Sequence, residues 1–173
     1  MIHIRDARPD DAATIARVLI QTKEESLAGL IGDHDRDFEF SHDRWLRYLR
    51  DGSSAQKSRG DGFGILAESG GDPIGFAAYH HTRRWDCDAE LQSLYVRLPW
   101  QRKGVGSTLL REVMRRLRAE GSRSLCVGFS PENPYKRFYF KHGAVSINAH
   151  WAFWAAMPWD NPGSFEMGQT WDL

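Results

Sequence analysis

The chain is poor in the features that place a protein in a class at a glance. Of its 173 residues only two are cysteine, Cys87 and Cys126. They stand far apart, and Cys126 lies inside an apolar run where a free thiol packs as a small hydrophobe. A disulfide framework is not expected, and the reading is a reduced, cytoplasmic protein. Excess charge is missing as well: 23 Lys and Arg balance 23 Asp and Glu, and the pI is about 7.1. That balance argues against nucleic acid or a membrane surface as partner, while leaving room for a local basic patch. Nowhere do 18 apolar residues run together, which speaks against a transmembrane helix. The opening "MIHIRDARPDD" is charged within five residues and lacks the apolar stretch of a secretory signal. His80, His81, Cys87 and His150 are not spaced as metal ligands, so no metal is expected.

What is present suffices for one core. Apolar residues make up 41% of the chain, and its length suits a single domain spanning 1–173. Ile2-His3-Ile4 alternates as a short strand. Pro9-Asp10-Asp11 opens a helix in which Ala12, Ile15, Ala16, Leu19 and Ile20 recur at helical spacing. Ser41 is expected to cap a second helix carrying Trp45, Leu46 and Leu49, which Gly52 ends. Residues 51–62 hold no large apolar side chain and read as a loop. Strand-like runs on either side of Gly70-Gly71-Asp72-Pro73 form a hairpin.

In "AELQSLYV", Ala89 to Val96, Leu91 and Leu94 are three apart. Either both faces of this strand are buried or a bulge shifts its phase. The next helix carries Val105, Leu109, Leu110, Val113, Met114 and Leu117 on one face and a row of arginines on the other. "SLCVGF", Ser124 to Phe129, is an apolar strand. Asn133, Pro134 and Gly143 bracket a short helix with Tyr135, Phe138 and Tyr139 on one side. The run from Ala144 is strand-like and aromatic.

The segment that carries chemistry is "QRKGVG", Gln101 to Gly106, set between a strand and a helix. A helix N-terminus leaves backbone N–H groups unpaired and carries partial positive charge. A glycine turn in front of it lets a phosphate reach those donors, and Arg102 and Lys103 add charge at the rim. No Gly-Lys-Ser/Thr follows, so the turn is not a P-loop, and the third Rossmann glycine would fall at Leu109, a packing position. On its own the turn fits some phosphate, or no ligand at all.

Its context is more specific. Gln101-Arg102-Lys103-Gly104-Val105-Gly106 resembles the Q/R-x-x-G-x-G/A signature of the GNAT superfamily of acyl-CoA-dependent N-acyltransferases, and a matching "LYV" strand precedes it. "FYFKHGA", Phe138 to Ala144, resembles the family's F/L-Y-x-x-x-G-F segment, and "IRDARPDDAATIARV" its first strand and helix. The resemblance implies an α/β (mixed α+β) fold with a central, mixed, mostly antiparallel twisted sheet of about 6–7 strands. About 4 helices would flank that sheet, and its two central strands would splay. It also implies acetyl-CoA as co-substrate. The coenzyme A pyrophosphate would lie on the backbone at Arg102, Lys103, Gly104, Val105, Gly106 and Ser107, beside Gln101. Leu94, Tyr95 and Val96 would pair with the pantetheine arm, and Asn133 would touch the coenzyme. Two departures stand out. The family's usual proline is displaced from Leu98 to Pro99, and Asn133 is one residue closer to Tyr139 than usual.

The reaction so implied moves an acetyl group to a primary amine by direct attack in a ternary complex. A phenol, with a pKa of about 10, can protonate the departing thiolate, which gives Tyr139 the role of general acid. A main-chain N–H near Val96 would hold the oxyanion. Glu90, on the strand leading to the thioester, is the candidate general base, with Gln92 able to orient the amine and His80 and His81 titrating in a useful range. Each has a plainer reading, as a core aromatic or a paired strand carboxylate. A non-catalytic acyl-CoA-binding or sensing module on the same fold would share the turn and have no use for Tyr139 or Glu90. The acceptor is a small-molecule or peptide amine. Trp151, Phe153, Trp154 and Trp159 could line its pocket, bury a homodimer face, or pack the core.

Overall fold

The computed structural model describes residues 1–51 and 63–155. Gly52, Trp159 and all of the 51–62 loop but Asp51 lie outside the described residues. The first strand, β1 (Ile2–Asp6), leads through a turn into α1 (Ala12–Ser26), whose buried Ala12, Ile15, Ala16 and Leu19 carry the helical spacing of the sequence. The second helix, α2 (Phe38–Asp51), starts earlier than Ser41. Asp37 is its cap: the Asp37 carboxylate accepts from the Phe40 N–H at 3.0 Å, and its carbonyl from the Ser41 N–H. Ser41 is instead buried one turn inside the helix.

β2 (Phe63–Ser69) and β3 (Asp72–His81) are joined by Gly70 and Gly71, both left-handed, so Asp72 and Pro73 belong to the strand. Next come β4 (Ala89–Val96), α3 (Val105–Ala119), β5 (Leu125–Gly128) and the short α4 (Arg137–Lys141). The aromatic run after Gly143 is a hairpin, β6 (Val145–Asn148) and β7 (Trp151–Trp154), where the sequence read as a single strand-like stretch. The intervening Ala149-His150 turn is held by the Asn148 side chain, which accepts from the His150 N–H at 2.8 Å. Tyr135 does not join Phe138 and Tyr139 on the core side: it is exposed.

Among the described residues the seven strands form one sheet in the order β1-β2-β3-β4-β5-β7-β6. All neighbours are antiparallel except β4 and β5. A mixed sheet of this kind buries both faces, and the strand residues divide between them. Ile65, Ala67, Ala77 and Tyr79 pack with Val105, Leu109, Leu110, Val113, Met114 and Leu117 of α3. Leu66, Phe76 and Ala78 pack with Ile15, Leu19, Trp45 and Tyr48 of α1 and α2.

The spacing of Leu91 and Leu94 is resolved by a bulge. Ala78 pairs with Ser93 but Tyr79 pairs with Leu91, so Gln92 is an extra residue in β4. That insertion turns Leu91 and Leu94 toward the same α3-side cluster. The bulge also marks where β4 leaves β5. The parallel ladder runs from Ala89–Leu125 to Leu91–Val127 and stops there.

Candidate active site

Beyond that point Gln92 to Val96 and Val127 to Ser130 line the two sides of a cavity of about 1010 Å³. Its remaining wall comes from the end of α1 and the segment after it (Thr22 to Asp35), the turn before α3, and α4. Of the residues singled out in the sequence, the wall contains Leu94, Tyr95, Val96, Gln101, Arg102, Lys103, Gly104, Gly106, Ser107, Asn133 and Tyr139. Two stand elsewhere: the Val105 side chain is buried in the core, and Glu90 is not on the wall.

The β4 edge in this gap presents donors. The Arg97 N–H bonds to the Ile74 carbonyl of β3 at 2.9 Å. Strand alternation therefore points the Val96 and Leu94 N–H groups the other way, into the gap. The Val96 carbonyl points there too and accepts from Gln101 Nε2 at 3.0 Å, while the same amide group donates to Ser26 Oγ at 3.1 Å. Gln101 thus clamps the end of β4 to the end of α1.

The two glycines of the turn differ in what they require. Gly104 has a φ of 82° and nothing within 4 Å of where a Cβ would stand, so its requirement is conformational. At Gly106 a Cβ would meet the Phe138 ring at 3.4 Å, an ordinary packing contact, so alanine fits there as the G/A of the signature allows. Arg102 also holds a left-handed φ of 60°, a strain of the kind found at ligand sites. The first helical bond of α3 runs from the Thr108 N–H to the Gly104 carbonyl at 2.9 Å, which leaves the N–H groups of Val105, Gly106 and Ser107 without partners in the helix.

Charge gathers at this end. Arg102, Lys103, Arg111 and Arg137 line the cavity, where among the described residues the one carboxylate is that of Asp35, ion-paired with Lys23. A chain of zero net charge has placed a basic pocket at one helix N-terminus. The residues fit a polyanion: free amides, a turn open enough to approach, and surplus cations.

Tyr139 lines the cavity from the short helix α4. Its ring is packed by Phe129 (centroids 6.0 Å apart), Phe138 (5.5 Å) and Trp154 (6.3 Å). Burial, reinforced by the nearby Tyr95, lifts its phenol above the ordinary tyrosine value. Burial also pushes Tyr95 up to about 12. Both therefore keep their protons throughout the neutral range. Asn133 accepts from the Tyr135 N–H at 2.8 Å as a cap, while still facing the cavity.

Glu90 is on the α2 side of the sheet. Arg84 Nε donates to it at 3.1 Å, and His80 Nε2 is 3.7 Å away. Burial raises its carboxyl above the usual range, with Arg84 opposing. His80 is buried, and burial lowers its pKa while the nearby Gln92 side chain opposes that shift. Gln92 itself sits at the bulge and on the cavity wall.

Sequence reasoning passed over His142, which lies on the wall between α3 and α4, and Lys23, whose ammonium is 5.9 Å from the Tyr95 ring centroid. The signal for His142 was its i+4 spacing from Phe138, which places both on one helical face. Trp151 and Trp154 belong to β7. Trp154 is buried and donates to the His142 carbonyl at 2.8 Å, and Trp151 carries Arg84 over its ring at 4.7 Å.

Comparison with known proteins agrees with this geometry. A protein of Mycobacterium tuberculosis described as a probable N-acetyltransferase is 25% identical over 154 residues, 88% of this chain and 84% of that one. The PaiA N-acetyltransferase of Thermoplasma acidophilum, solved in complex with coenzyme A, superposes with a TM-score of 0.73 at 21% identity, covering 88% of this chain and 97% of that one. A GNAT family acetyltransferase of Brucella melitensis, in complex with acetyl-CoA, gives 0.59 at 23% identity over 90% and 88%. The model of the acetyltransferase (GNAT) family matches residues 27–144, which include the β4 edge, the turn and Tyr139, and the chain belongs to that family.

Proposed function

We propose that the protein transfers an acetyl group from acetyl-CoA to a primary amine by direct attack in a ternary complex. The observation that carries this reading is the gap between β4 and β5, whose wall combines free amides and cations with a half-buried, protonated phenol. The family's N-acetyltransferases, two of them solved with coenzyme A or acetyl-CoA, support the choice of donor. The N–H groups of Val105, Gly106 and Ser107, with Arg102 and Lys103, hold the pyrophosphate. The gap-facing edge of Leu94, Tyr95 and Val96 pairs with the pantetheine amides and brings the thioester carbonyl to a main-chain N–H that stabilises the oxyanion.

Tyr139 donates its proton to the leaving thiolate. Its raised pKa suits this, because a thiolate leaving in a dry pocket is itself a strong base. Gln92 Oε1 accepts a hydrogen bond from the incoming amine. The amine's proton passes through water to Glu90, whose burial makes it a stronger base than an exposed carboxylate. The acceptor is a small-molecule or peptide amine.

Release of free thiol during incubation with acetyl-CoA and a panel of amines tests the reading. Coenzyme binding with no amine-dependent thiol release would make the chain a binding module instead. Calorimetry that shows no coenzyme binding at millimolar concentration would remove both.

A further inference from the structure

A buried imidazole and a half-buried hydroxyl join the first turn of α3 to α4. His142, 7% exposed, ends α4. Its Nδ1 is 2.8 Å from the Phe138 carbonyl, and its Nε2 is 3.0 Å from Ser107 Oγ in the first turn of α3. A carbonyl can only accept, so Nδ1 carries the hydrogen. In the neutral imidazole Nε2 is then an acceptor, and the Ser107 hydroxyl must spend its proton on it. In that state Ser107 offers the cavity only lone pairs, beside the N–H groups that would hold an anion. A protonated His142 reverses the bond: Nε2–H donates to Ser107 Oγ, and the hydroxyl hydrogen is free to point at a phosphate oxygen.

We propose that His142 is a positioning residue for the coenzyme, which takes up one proton from solvent as the diphosphate arrives and thereby turns the Ser107 hydroxyl into a donor. This rests on the coenzyme reading above. The surroundings of the ring set the direction. Burial is the main factor that disfavours the imidazolium; the Phe138 carbonyl favours it, and Arg111 of α3 and Lys141 of α4 add smaller opposition. The ring is tilted against Phe138 at 4.3 Å, and Trp154 of β7 donates to the His142 carbonyl, so it has little freedom to turn away. A diphosphate neutralises the Arg111 and Lys141 side of this balance. The neutral form belongs to the empty protein and the cation to the complex. By linkage, coenzyme binding is stronger at low pH and weakens as pH rises through the imidazole titration.

Dephospho-coenzyme A is the probe, because it keeps the diphosphate and lacks the 3′-phosphate that itself titrates near neutrality. Calorimetry at about pH 6.5, close to the ordinary histidine value, is run in two buffers of different ionisation enthalpy. The wild-type protein is expected to take up a fraction of a proton on binding. Its affinity should fall about tenfold for each unit by which the ligand displaces the imidazole pKa. His142→Gln keeps an acceptor for Ser107 but cannot titrate; it should bind with no uptake and a flat pH dependence. Ser107→Ala removes the donor and should bind more weakly at low pH, with reduced uptake. Wild-type binding without proton uptake, or equal uptake in His142→Gln, overturns this proposal alone. A wild-type protein that fails to bind the probe at millimolar concentration overturns the coenzyme reading with it.

Discussion

Replacing Tyr139 by phenylalanine removes one oxygen atom and leaves the ring where it is. The hydroxyl has no hydrogen-bond partner among the described residues, while the ring packs against Phe129, Phe138 and Trp154. The fold therefore loses little, within about 0.5 kcal/mol. The turn before α3, the proposed coenzyme seat, is untouched. If Tyr139 protonates the thiolate, kcat falls by about 10²- to 10⁴-fold, or about 2.7 to 5.4 kcal/mol of barrier. The KM for acetyl-CoA should stay within about twofold, because the loss is confined to the transition state. The assay is steady-state thiol release across pH, with thermal melting to confirm an intact fold. Since burial raises the phenol's pKa, wild-type kcat should hold to above about pH 10 and then fall, and that limb should vanish in the variant. Unchanged turnover, or a lost kcat accompanied by an equal loss of melting temperature, would refute the reasoning.

Other perturbations test other parts of the site. Gly104→Ala forces a side chain into a φ of 82° and should cost about 1–2 kcal/mol at the turn, read as a raised acetyl-CoA KM with kcat nearly kept. Glu90→Gln should lower kcat and remove the acidic limb. In the wild type that limb lies above the usual glutamate range, because burial raises the carboxyl; an unaltered profile would assign the proton to another base. Glu112 is held down at about 2 by Arg115 and Arg116. It therefore stabilises the fold above pH 4.5 and loses that contribution as pH falls toward 2. Melting curves of Glu112→Gln should differ from wild type at neutral pH and converge with it in strong acid.

The helices and most strands were legible because their apolar residues recur at the period of the element: Leu109, Leu110, Val113 and Leu117 leave α3 no other reading. The caps were less so. Asp37 and Ser41 are both good capping residues four positions apart, and only the packing of Phe38 against α1 and α2 decides between them. The β6–β7 hairpin was hidden because Ala149 and His150 are not turn formers, and the one turn residue, Asn148, counts as the end of β6. At the site, the glycine turn and the presence of Tyr139 on the cavity wall could be anticipated from local motifs. Glu90 and His142 could not be placed, since Arg84 and Ser107, their partners, come from other elements. Spacing along one strand cannot reveal what the neighbouring loop brings to it. The bulge was visible only as an ambiguity in Leu91 and Leu94, which a partner strand had to resolve.

The ladder between β4 and β5 has a consequence for how the protein comes to be active. β1 pairs with β2, β2 with β3 and β3 with β4, and β2 to β4 form an antiparallel meander whose contacts close over short stretches of chain. β5 reaches β4 only after the chain has passed through the whole of α3, and it docks by three residues. Such non-local pairing is slow to form. The order of assembly should be a meander first and the cleft last. A chain caught midway would carry β4 as a bare edge, with its gap-facing donors open to any passing strand. The edge that lines the cavity in the finished fold is, until β5 arrives, the place where this protein is most exposed to mispairing.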